Sequence, residues 1–319
     1  MATAELRSPA DGRERAIYAL PGNATLAAAI ETALGLPVVP VLVDHFPDGE
    51  SRVRIGQRSA ARTAIVVCSL DRPDEKILPL IFAAGALREL GAERVGLVAP
   101  YLAYMRQDRQ FEDGDAVSAV HFARLLSQSL DWLVTAEPHL HRVTSLAAIY
   151  SIPTSVVHVA PLIARWVRRN VPNGLVVGPD SESQQWARAV AEGAGVPFVI
   201  LDKTRLGSNE VKVSVPNLDR WRDRRPVLVD DVISTGHTMR ETIRHLRSAG
   251  LAPPVCVAVH AVFAGDAYAE LLAAGAERVV TTMTIRHESN AIDVSEPIVA
   301  AAAAMLGDTA AAPGRPRPR

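Results

Sequence analysis

Short apolar runs rich in β-branched residues recur along the chain, at 16–22, 63–70, 94–101, 132–139, 175–180, 197–203, 226–231, 254–262 and 278–283. Runs of this length, closed by Gly, Pro or Asp, suit strands buried on both faces. Longer amphipathic stretches separate them, as at 78–92 and 237–251, and each reaches a glycine at or near its end, the residue that most readily ends a helix in left-handed backbone. Strand and helix in alternation predict an α/β fold with mostly parallel sheets flanked by helices.

The alternation pauses between 150 and 170, where a connecting helix leads into the turn Pro172-Asn173-Gly174 before a second series of strands. Both halves follow the plan strand, Pro-containing loop, helix, strand ending in polar residues. Two similar α/β domains facing each other are therefore expected, an N-terminal one over 16–155 and a C-terminal one over 156–306. A flexible segment over 1–15 and a disordered tail over 307–319, rich in Pro, Gly and Arg, flank them.

With 319 residues and 48% hydrophobic side chains the chain can fill cores of this size. Its 34 basic and 35 acidic side chains nearly cancel, so no global field recruits nucleic acid or an anionic membrane, and any phosphate binding is local. Cys68 and Cys256 each sit in an apolar run, as buried thiols do in a reducing cytoplasm. The N-terminus lacks the uninterrupted apolar stretch of an export signal, and no run is long and apolar enough for a membrane span.

The most specific chemistry lies at 227–239. An apolar strand runs into the paired carboxylates Asp230 and Asp231, then Ser234, Thr235, Gly236, His237 and Thr238 at a helix start. Free N–H groups and the positive end of the helix dipole attract an anion there, hydroxyls add donors, and Gly236 admits close approach. The carboxylates suit sugar hydroxyls or a Mg²⁺ that accompanies phosphate. A mere helix cap is the plainer reading of the two acids, but it leaves the ordered hydroxyls and glycine unexplained. His237 offers a phosphate an extra donor if protonated, and an outward turn is the equal alternative.

This string resembles the phosphoribosyl-binding loop of the type I phosphoribosyltransferase superfamily. Three further segments resemble one branch of it, the ribose-phosphate diphosphokinases, and the wording Lys203-Thr204-Arg205-Leu206 in the third resembles their archaeal type. Phe46, Asp48 and Glu50 in the segment 45–55 surround an Asp-Gly turn and correspond to an adenine site. The stretch 100–119, with Arg106, Gln107, Asp108 and Arg109, matches the family's nucleotide-binding segment and offers guanidinium forks for triphosphate oxygens. Lys203 and Arg205 in 199–213 correspond to the basic pair of the family's catalytic loop, where charge on a migrating phosphoryl group is stabilised.

The resemblance covers roughly 16–306 and implies two phosphoribosyltransferase-like domains that move the βγ-pyrophosphate of ATP onto ribose 5-phosphate with Mg²⁺, in a dimer-based homo-oligomer. It assigns ATP to Phe46, Asp48, Glu50, Arg106, Gln107, Asp108 and His139, and the sugar phosphate to Asp180, Asp230, Asp231 and the loop from Ser234 to Thr238. Metal falls to Glu137, His139 and Asp180, with Glu137 standing where aspartate is usual. A second departure follows Pro179-Asp180, where Ser181, Glu182 and Ser183 replace small, often glycine, residues. Two rival readings remain: a transferase that consumes phosphoribosyl pyrophosphate, which should lack the first domain's motifs, and a non-catalytic subunit, against which the retained Lys203 and Arg205 speak.

Overall fold

The computed structural model describes residues 14–56, 60–140, 142–180, 183–205, 211–214 and 218–307, with backbone alone over 202–205 and 211–214. Of the segments 1–15 and 307–319 read above as flexible and disordered, residues 1–13 and 308–319 lie outside the described residues, as do Ser181 and Glu182, whereas Arg15 opens the first strand and Gly307 closes the last helix.

The first unit contains β1 (Arg15–Ala19), α1 (Ala24–Leu34), β2 (Val38–His45), β3 (Ser51–Ile55), β4 (Thr63–Val67), α2 (Pro73–Glu89), β5 (Arg94–Ala99), α3 (Ser118–Ser129), β6 (Trp132–Ala136) and β7 (Thr154–Val157). These strands form one sheet in the order β3-β2-β1-β4-β5-β6-β7, parallel except for the β2–β3 hairpin. The second unit contains α4 (Ala160–Asn170), β8 (Gly174–Gly178), α5 (Gln184–Ala194), β9 (Phe198–Ile200), β10 (Asp202–Arg205), β11 (Val211–Ser214), β12 (Arg225–Ile233), α6 (His237–Ser248), β13 (Val255–Ala261), α7 (Ala267–Ala273), β14 (Arg278–Thr282), β15 (Asn290–Ile292) and α8 (Ser295–Gly307). Its sheet, ordered β15-β14-β13-β12-β8-β9, is parallel throughout.

Every residue of β6, β8 and β13 is buried, because helices cover both sheet faces and leave no polar side to alternate against. β2 and β3 instead alternate buried and more exposed positions, as strands half open to water do. The run 197–203, read as one strand, divides at Leu201. The Leu201 N–H makes a last bond to the Gly178 carbonyl of β8, after which β10 leaves the sheet to pair antiparallel with β11.

The expected division at 155–156 falls inside β7, which closes the first sheet, so the chain crosses over beyond Val157. The last helix then returns. α8 packs on α1, β6 and β7 of the first unit, and the Arg15 guanidinium donates to the Leu306 carbonyl. One apolar cluster accordingly runs from Ile17, Ile30 and Trp132 through Ile163 and Val190 to Val229, Ile298 and Leu306. Burial at this density is what holds both sheets to one body.

Candidate active site

Parallel strands end at the same edge of a sheet, and the loops leaving those edges build the crevice where ligands of such folds bind. Here the loops after β5, β6, β8 and β12 from both units converge on one cleft of about 1150 Å³. Arg106, Arg109, Phe111, Glu137, His139 and Arg142 line it from the first unit, and Asp180, Asp230, Asp231 and the whole stretch from Ser234 to Met239 from the second.

The loop after β12 has the geometry of an anion site. Gly236 sits at φ 67°, ψ 5° directly before α6, a left-handed conformation that a side chain makes costly. Beyond that bend the first residues of α6, His237 to Met239, line the cleft. Ser234 anchors the loop by accepting the Ala264 N–H on its carbonyl at 3.1 Å. The His237 ring pairs with Glu241 one turn on, at 3.2 Å.

Electrostatics single out the acids. Burial, then the negative charges of Asp231 and Asp180, hold the Asp230 carboxyl well above the usual carboxylate range. Asp231 is met from the opposite domain: the His139 ring donates from Nδ1 to its Oδ2 at 2.5 Å. Asp180 accepts the Ser183 N–H on Oδ1 at 3.1 Å, and the Ser183 hydroxyl donates to the Asp180 carbonyl at 2.7 Å. The serine that departs from the usual small residue thus ties the loop to the start of α5.

Glu137 follows a different course from a freely available ligand. Its backbone lies at φ 36°, its Oε2 accepts the Val159 N–H at 2.8 Å ahead of α4, and its Oε1 faces His158 at 3.4 Å. The nearby Asp108 is likewise engaged: it accepts the Arg142 N–H and guanidinium, both at 3.0 Å. Burial works to raise its pKa, and these bonds overcome it and leave the carboxyl below its ordinary value. Gln107 accepts the Ser118 hydroxyl at 2.7 Å, which stitches the loop to α3, while Arg106 has no ion-pair partner among the described residues.

Phe46, Asp48 and Glu50 are not among the residues lining this cleft. They occupy the β2–β3 turn, closed by the Phe46 N–H to the Glu50 carbonyl at 2.9 Å and the Glu50 N–H to Asp48 Oδ1 at 3.1 Å. The turn opens at the same sheet edge, three strand spacings or ~14 Å from β5, and Phe46 is 49% exposed. Lys203 and Arg205 stand on β10, and their side chains lie outside the described ones.

Three groups escaped the sequence reading. Phe111 is 60% exposed at the cleft and lies under the Arg109 guanidinium, 5.7 Å from its centroid. Arg142 is identified only by its fold partner Asp108. His260, in the middle of the apolar run 254–262, is 1% exposed and bridges to Glu137 and Thr284; burial pulls its pKa down to about 4. No pattern along the chain marks it.

Among the described residues no group of three or more His, Cys, Asp or Glu side chains forms a ready cage for a metal ion. The carboxylate pair Asp230 and Asp231 offers the hard oxygen donors that suit magnesium, which keeps several waters and binds through one or two carboxylates together with substrate phosphates. The donor set fits such an ion.

Comparison with known proteins places these features. Residues 16–129 match the N-terminal domain of ribose phosphate pyrophosphokinase, and residues 145–296 a phosphoribosyl transferase domain. A ribose-phosphate pyrophosphokinase of Methanopyrus kandleri is 36% identical over 277 residues, 86% of this chain and 94% of the relative. One of Sulfolobus acidocaldarius is 34% identical over 267 residues, 81% and 90% of the two chains. The crystal structure of phosphoribosylpyrophosphate synthetase from Mycobacterium smegmatis superposes with a TM-score of 0.80 at 23% identity, covering 92% of this chain and 99% of that one, which is a likeness of fold. Two matched domains in the right order, and close relatives spanning nearly their whole length, mean that the chain belongs to the ribose-phosphate pyrophosphokinase family.

Proposed function

We propose that the cleft transfers the βγ-pyrophosphoryl group of ATP to the anomeric hydroxyl of ribose 5-phosphate, releasing AMP. The observation that carries this reading is the meeting of two half-sites: the anion loop and acids of the second unit face Arg106 and His139 of the first across one cleft. The sugar's 5-phosphate rests on the N–H groups and hydroxyls from Ser234 to Thr238. Its ring hydroxyls take Asp230 and Asp231. The triphosphate lies toward Arg106 and His139, with Phe111 and Arg109 beside it.

In this arrangement the anomeric oxygen bonds to the β-phosphorus as the bond from that phosphorus to the α-phosphate oxygen breaks, and the hydroxyl proton passes to solvent or to the phosphates. Alignment of two bound substrates supplies most of the acceleration. Lys203 and Arg205 on the β10 strand supply cationic donors to the transferring group. Asp230 and Asp231 would hold Mg²⁺, which would supply charge neutralisation. His139 fixes the rotamer of Asp231.

Phe46, Asp48 and Glu50 serve ATP when a second copy of the chain brings its β2–β3 turn to this cleft, so the working form is a homo-oligomer built from dimers. Free, buried Cys68 and Cys256, each pushed up by burial to about 12, suit a reducing cytoplasm.

The test is AMP release by purified protein with Mg²⁺, ATP and ribose 5-phosphate, beside K203A and D231N. Sugar-dependent release that falls by about 100-fold or more in both variants supports the assignment; folded protein that binds ATP and releases no AMP overturns it in favour of a non-catalytic subunit.

A further inference from the structure

The seam between the two units carries a polar cluster beside the cleft. His260, at the end of β13, brings its Nε2 to 3.1 Å from the Glu137 carbonyl of the first unit and its Nδ1 to 2.9 Å from the Thr284 hydroxyl. A carbonyl oxygen only accepts, so Nε2 carries the proton. Nδ1 of the neutral ring then accepts, and Thr284 Oγ1 donates to it. Thr282 Oγ1 donates to the Val259 carbonyl at 2.8 Å, and the Thr284 hydroxyl lies 3.1 Å from that same carbonyl, which competes with Nδ1 for its one proton. The ring is held edge-on to Tyr101, centroids 4.9 Å apart, and the Ser69 hydroxyl closes the seam on the Thr284 carbonyl at 2.5 Å. One tautomer and one orientation satisfy all these partners.

The residue on the other side of this bond is strained. Glu137 is not a glycine and yet lies at φ 36°, a conformation that persists only where its surroundings over-determine it. Its N–H is fixed to Val157 at 3.0 Å, its carboxylate to Val159, and its carbonyl to His260. The bend at Glu137 sets the direction of Pro138 and His139, whose ring meets Asp231 at 2.5 Å. The His260 bond ties the bent backbone directly to the unit that carries Asp231.

We infer that His260 is a positioning residue for pyrophosphoryl transfer: by donating to the Glu137 carbonyl it holds the bend that brings His139 onto Asp231 across the domain boundary. The inference rests on the reading of the cleft given above. It assigns to a buried strand residue, which touches no substrate, control over the alignment of two half-sites that come from different domains.

The experiment is steady-state AMP formation by full-length H260Q, H260N and H139A and the double variant H260N/H139A, with thermal melting of each. A glutamine amide reaches the Nε2 position and restores the donor, so H260Q keeps kcat within a few-fold of the parent. Asparagine reaches only the Nδ1 position, and H260N loses up to about 100-fold in kcat, with KM for ribose 5-phosphate within a few-fold because the anion loop is untouched. Since His260 acts through His139, the double variant is no worse than H139A alone.

An H260N enzyme as active as the parent overturns the role, and so do losses that multiply in the double variant. Should H260N not fold, T284V, which leaves the ring in place but removes the donor that fixes it, carries the same cycle against H139A, and multiplying losses there overturn the role equally. A parent protein that releases no AMP overturns the reading of the cleft and this role with it; an active parent with an indifferent H260N overturns the role alone.

Discussion

Asp230 and His260 show how single groups are tuned in opposite directions by the same burial. The raised Asp230 pKa means that its charged form is penalised in the folded protein, so its contribution to stability is present below the unfolded carboxylate pKa and is lost as pH rises through the folded one. Removing the charge relieves that penalty: D230N is expected to melt a few degrees higher than the parent at pH 7 without ligand, while losing the Mg²⁺-dependent rise in Tm that the parent gains. Differential scanning calorimetry with and without Mg²⁺ and ribose 5-phosphate checks both halves.

His260 works the other way. Its folded pKa of about 4 lies below the ordinary histidine value of 6.5, so its contribution is present above 6.5 and is lost as pH falls through 4, amounting to roughly 3 kcal/mol by pH 4. Urea titrations between pH 7 and 4.5 should show this acid limb in the parent and a shallower one in H260Q, whose amide does not titrate. The acids and hydroxyls of 230–238 were legible because their chemistry is contiguous in the chain. His260, Arg142 and Phe111 were not: a histidine in an apolar run reads as strand, and its partner Glu137 is 123 positions away.

Elements were legible where burial is uniform and obscure where it is not. The runs that became β1, β4, β5, β6, β8, β12, β13 and β14 are apolar because both of their faces are covered. β2 carries Pro40, which withholds a ladder donor and interrupts the pattern of a strand. β7 is four residues long and β15 three, with a register shift between Thr281 and Thr282; such pieces gain their order from a neighbour, not from their own sequence. Gly96 in β5 exposes another constraint invisible in sequence. A Cβ there would lie 1.8 Å from Cε2 of the wholly buried Trp132 on β6. G96A is expected to cost about 3 kcal/mol through overpacking, and W132L in the same chain to recover part of it, as read from equilibrium denaturation of the single and double variants.

At the scale of the molecule, the alternation of strand and helix was enough to foresee two similar α/β units, since each parallel sheet demands covered faces. It was not enough to foresee which unit the final helix covers. α8 is an alanine-rich helix that suits either surface, and only the fold shows that Ile298, Ala302, Met305 and Leu306 are buried against the first unit. Removing residues 295–319 strips away burial of three large side chains, about 5 kcal/mol or more, against a total of roughly 5–15 kcal/mol for a folded domain. The truncated chain should therefore lose its cooperative thermal transition in the first unit as well as the second, which domain-resolved hydrogen exchange can locate.

That return of α8 has a consequence for biosynthesis. A ribosome delivers the strands of the first sheet early and the helix that covers β6 and β7 last, so this sheet cannot complete its core while the second half is still being made. At about 5–20 residues per second the wait lasts on the order of ten seconds. Throughout it, the apolar face around Trp132 and Ile17 stands open to nascent neighbours and to the chaperones that would shield it.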